Sequence, residues 1–99
     1  MNINGMELEF NVYKVSNTKK LEENMIRLKE GEEEGKALLT SGKLYDGINT
    51  MYNVYKNFFV DLLGVDVVGE CDDVLEAQKM VVDFIAGVKP KKVESASNV

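Results

Sequence analysis

The chain has no histidine and no tryptophan, and only one cysteine and one proline in 99 residues. Without histidine there is no Ser-His-Asp or Cys-His triad and no imidazole to ligate a metal. A single cysteine excludes an internal disulfide and a four-cysteine zinc site. Positive charge is also scarce: 12 Lys and Arg against 17 Asp and Glu leave a net charge of -5, which repels nucleic acid and anionic membrane. The most apolar long stretch, Leu44 to Leu63, is interrupted by Asp46, Asn49, Asn53, Lys56, Asn57 and Asp61, more polar groups than a bilayer span accepts. The opening Met1-Asn2-Ile3-Asn4-Gly5 lacks the basic and apolar regions of a secretory signal. With a lone Cys71, these features point to a soluble protein of a reducing cytoplasm.

What is present suits one small domain. The composition is 44% hydrophobic and 29% charged, enough apolar material for a core in a chain too short for two. Met6, Leu8, Phe10 and Val12 alternate with polar residues, so residues 2 to 15 read as strand. Asn4-Gly5 favours a type I′ turn and predicts a short hairpin around it. From Ser16, Asn17 and Thr18, all capable caps, the period becomes helical. A first helix is expected over about 18 to 39, with Leu21, Met25, Leu28 and Leu39 along its stripe. Gly31 and Gly35 mark either a break or flexible joint, or a close approach of two backbones, since each glycine costs roughly 1 kcal/mol against alanine in a helix.

A second helix is expected over about 43 to 63, closed by Gly64 as a left-handed cap. Leu44, Ile48, Met51, Tyr52, Tyr55, Phe58, Phe59 and Leu62 fill an arc of roughly 120°, which Tyr45 widens to about 140°. A linker of residues 65 to 70 leads to a third helix over about 73 to 86, where Asp73 and Glu76 have capping-box spacing. Gly87 and Pro90 end it. The expected architecture is a mainly α, three-helix domain over residues 1 to 87 with an N-terminal β-hairpin, followed by a flexible tail over 88 to 99.

Few residues suggest catalysis. Cys71 is flanked by Glu70, Asp72 and Asp73, which disfavour a thiolate. The acids at 66, 70, 72 and 73 fail the alternation of a calcium loop. Lys89, Lys91 and Lys92 are too few, on an acidic chain, to bind nucleic acid. No catalytic residue, cofactor or metal is expected. The remaining signal is surplus apolar surface. Five of eight aromatics lie on the second helix, and Leu75 and Val82 fall off the main stripe of the third. Tyr45, Tyr52, Tyr55, Phe59, Leu75 and Val82 are therefore the candidate partner-binding residues, for self-association or a partner helix.

Ile3-Asn4-Gly5-Met6-Glu7-Leu8-Glu9-Phe10, a charged first helix and Tyr52-Asn53-Val54-Tyr55-Lys56-Asn57-Phe58-Phe59-Val60-Asp61-Leu62-Leu63-Gly64 together resemble the small tail assembly chaperones of long-tailed phages of Gram-positive hosts. Similar proteins occur in phage-tail-like bacteriocin clusters. The likeness spans residues 2 to 87, with Val60 a departure inside the Phe-Phe-Asp element. It implies a non-enzymatic protein that coats the tape-measure protein in the host cytoplasm and leaves before the virion is complete. Contact with the tail tube protein is a further expected partnership, alongside the self-association that the surplus apolar surface suggests, and the charge balance leaves no expected role for nucleic acid or membrane. The alternatives are an acidic inhibitor or regulatory binding protein and a minor virion structural protein. The first sits poorly with acids spread along the chain, seven against three bases over residues 31 to 70.

Overall fold

The computed structural model describes residues 1 to 88 and is mainly helical. Two short antiparallel strands, β1 (Asn2–Ile3) and β2 (Met6–Glu7), precede α1 (Val15–Thr40), α2 (Leu44–Leu63) and α3 (Val74–Val88). Ile3 pairs with Met6 and Asn2 with Glu7. Both central turn residues have positive φ, 51° at Asn4 and 77° at Gly5, as a type I′ turn requires.

The strand expected to run to residue 15 stops at Glu7. Its alternation nevertheless describes an inward face, with Leu8 buried and Phe10 and Val12 packed against the core. They meet helices rather than a third strand: the Phe10 ring lies 5.8 Å from Phe84. The chain then turns through an elbow into α1, which starts three residues earlier than expected. Ser16, Asn17 and Thr18 lie inside its first turn. Asn17 Nδ2 donates to the Asn11 carbonyl at 3.1 Å, and the Thr18 hydroxyl donates to the Val12 carbonyl. These bonds tie the helix to the elbow in place of a side-chain cap.

α1 is unbroken through Gly31 and Gly35. Both glycines are buried and face α2. A methyl at Gly31 would lie 2.1 Å from Val54 Cγ2, and one at Gly35 would lie 2.2 Å from Met51 Cγ and 3.0 Å from the Gly47 carbonyl. Close approach of two backbones is therefore what the glycines supply. The contacts step Gly31–Val54, Gly35–Met51 and Leu39–Gly47, so α1 and α2 are antiparallel. Leu21, Asn24, Gly31 and Gly35 form the buried row of α1, whereas Met25 is exposed.

α2 ends on Gly64 in the left-handed conformation, φ 75°, as expected. The segment after it, which reads as a linker, doubles back along α2. Asp66 pairs with Lys56 at 3.3 Å, and the Tyr52 hydroxyl donates to the Cys71 carbonyl at 2.5 Å. Val67 and Val68 are fully buried on the way, and Asn4 Nδ2 donates to the Val67 carbonyl at 2.8 Å. Asp73 Oδ1 then accepts from the Leu75 and Glu76 amides at 2.8 and 3.4 Å, satisfying amides that a helix start leaves free.

α3 packs parallel to α2, with Phe84 against Phe58 and Phe59 at 6.0 and 5.7 Å. It runs through Gly87, which lies against Met1, and ends on Val88. Val88 is buried in the core. The remaining tail, with Lys89, Pro90, Lys91 and Lys92, lies outside the described residues. Among the described residues no helix is long and apolar enough to cross a membrane.

Candidate partner-binding surface

The six candidate residues separate by depth. Tyr55 and Phe59 are 1% and 0% exposed and belong to the core, a correction to their assignment as contact residues. α3 covers them, because Phe84 closes over Phe59. Tyr52 is half-buried, its hydroxyl committed to the Cys71 carbonyl. Tyr45, Leu75 and Val82 lie on the surface, at 77%, 69% and 56% exposure.

Burial along α2 follows one seam. Tyr45, Ile48, Tyr52, Tyr55, Phe59 and Leu62 are spaced three and four apart, the a/d repeat of helices that pack along their length. The last three are buried, Tyr52 is half-buried, and Ile48 and Tyr45 are exposed. The lengths explain the gradient. At about 1.5 Å per residue α2 spans about 30 Å and α3 about 22 Å, and the segment leading into α3 passes Tyr52. Among the described residues, the first turns of α2 thus present a continuation of the seam with no third helix upon it. In the sequence Ile48 lies on the same apolar arc as the buried residues of α2. Only the register of α3 against α2, fixed by a buried linker, shows that it falls beyond the cover.

At the junction where the three helices meet, the Tyr55 hydroxyl donates to Glu32 Oε2 at 2.5 Å and Gln78 Nε2 donates to the same oxygen at 3.3 Å. Burial pushes the Tyr55 hydroxyl well above its ordinary 10.0. The hydrogen bond and the charge of Glu32 push the same way, against a smaller opposing bond from Gln78. The neutral phenol is favoured in the fold, so Tyr55 contributes stability in full below pH 10.0. That contribution is lost as pH climbs from there towards the folded value, since the unfolded tyrosine ionises first. We expect ultraviolet titration to show a late tyrosinate step from Tyr55, and Glu32→Gln to bring that step to lower pH. A Glu32→Gln titration superimposable on wild type would contradict the linkage.

Cys71 is partly buried, its Sγ 3.5 Å from the Asp73 carbonyl and 3.4 Å from Glu76 Oε2. Both neighbours are acceptors, so the thiol is the donor in each contact. The described residues contain no cluster of three metal-ligating side chains. What the surface can do chemically is bury apolar groups. No protein-family model matches the chain, and neither a curated protein nor a solved structure is found to be similar to it.

Proposed function

We propose that the protein is a non-enzymatic tail assembly chaperone that binds apolar helical stretches of a phage tape-measure protein. It does so in the host cytoplasm and leaves before the particle is complete. The observation that carries this reading is the α2 seam, covered by α3 over Tyr55, Phe59 and Leu62 and open at Tyr45 and Ile48. An incoming helix with an apolar stripe would sit end to end with α3, taking the same kind of contacts. Leu75, in the first turn of α3, and Val82 one heptad on add exposed apolar contacts on the neighbouring helix. Few layers per copy mean weak binding per copy. Many copies along a long partner give coverage that polymerising tube subunits can displace. The resemblance of residues 2 to 87 to tail assembly chaperones points the same way.

Co-expression with a phage tape-measure protein rich in apolar-striped helices tests the reading. Wild type should hold that protein in the soluble fraction. Tyr45→Asp combined with Ile48→Asp should lose this activity, and Leu75→Asp with Val82→Asp should weaken it. All four positions are exposed, so each variant should keep the wild-type circular dichroism spectrum. Folded variants that solubilise the partner as well as wild type would sink the assignment.

A further inference from the structure

A second apolar surface lies at the opposite end of the bundle. Because α1 is antiparallel to α2, the start of α1 sits beside the end of α2, away from Tyr45 and Ile48. There the elbow and the first half of α1 line a groove of about 970 Å³, reaching from Val12 to Lys29. Val15 is 84% exposed, and Tyr13, Met25 and Ile26 are exposed beside it. Lys19, Glu22 and Lys29 belong to the same lining and form no ion pair with another side chain among the described residues.

We propose that this groove docks on the same groove of a second copy, with the two α1 helices antiparallel about a two-fold axis near Lys20 and Leu21. That axis is the midpoint of the lining, so each copy's groove is used along its whole length. In this register Lys19 of each copy faces Glu22 of the other, and Val15 faces Ile26. Both matches occur twice, because a two-fold interface presents one patch to itself. A parallel pairing would instead set Lys19 on Lys19, Glu22 on Glu22 and Lys29 on Lys29, like charges that oppose association. The strip is thus self-complementary in the antiparallel register, which points to a second copy as the occupant, with Lys29 of each copy beside Val12 of the other. The pair would carry its two open α2 seams at its outer ends, giving two contacts on a long partner.

Sedimentation equilibrium on the full chain tests this directly and independently of tape-measure binding. Wild type should dimerise, and either Lys19→Glu or Glu22→Lys should weaken the dimer by roughly tenfold or more, since each sets like charges face to face twice. The combined Lys19→Glu, Glu22→Lys variant restores unlike pairs and should dimerise as wild type does. A wild-type chain that stays monomeric at high micromolar concentration overturns the proposal. So do single variants that dimerise normally, or a combined variant as weak as the singles.

Discussion

Phe84→Ala will destabilise the fold by about 3 to 5 kcal/mol, the range for removing a buried aromatic and leaving a cavity. Phe84 is fully buried, and its ring stands edge-on to three others, Phe10, Phe58 and Phe59, at 5.7 to 6.0 Å. These rings come from the N-terminal segment, α2 and α3. Truncation therefore loosens the elements from one another as well as emptying space. The vacated volume cannot be refilled easily, because the surrounding rings are stiff and already packed edge to face. Domains of this kind hold about 5 to 15 kcal/mol in all, so the variant should show a much lower urea midpoint. Calorimetry or denaturant unfolding checks it; a loss below about 1 kcal/mol, a typical surface-scale effect, would mean the ring cluster is not the centre of the core.

Gly31→Ala is expected to destabilise, although alanine is the better helix former by about 1 kcal/mol. The new methyl would lie 2.1 Å from one Val54 methyl and 3.0 Å from the other. Val54 is β-branched and has little rotamer freedom to step aside. Either the helices separate or the side chain leaves its rotamer, at about 1 to 3 kcal/mol, occasionally more, for overpacking. Steric cost exceeds propensity gain, so the net effect should be a loss. The combined Gly31→Ala, Val54→Ala variant removes the obstacle and should recover part of it. A stabilised Gly31→Ala protein would show that the glycine is not held by a close helix contact.

Local signals carried most of the elements into view. The Asn4-Gly5 turn, the Gly64 cap, the Asp73 start and the α2 stripe all follow from short-range chemistry, and each stands in the structure near its expected place. What depends on distant contacts was not legible. Val67 and Val68 read as linker because nothing nearby in sequence shows that the segment folds back over α2. Val12 and Phe10 read as strand because alternation records which way side chains point and not what backbone lies alongside. Gly31 and Gly35 were ambiguous for the same reason: a glycine on a helix signals close packing only once its neighbour is known. Among the candidate surface residues, Tyr45, Leu75 and Val82 are outward, whereas Tyr55 and Phe59 share their stripe with Tyr45 yet are covered. Periodicity assigns a face, and the reach of the next helix decides how much of that face stays dry.

The hydrogen bond from Asn4 to the Val67 carbonyl joins positions 63 residues apart. During synthesis the β-hairpin therefore emerges long before its anchor exists, by about 3 to 13 s at typical ribosome speeds of roughly 5 to 20 residues per second. The α1–α2 pair, closed by a tight connection, can assemble in that interval. The hairpin therefore stays without this anchor until the returning segment arrives, so its docking follows the synthesis of both helices of the α1–α2 pair.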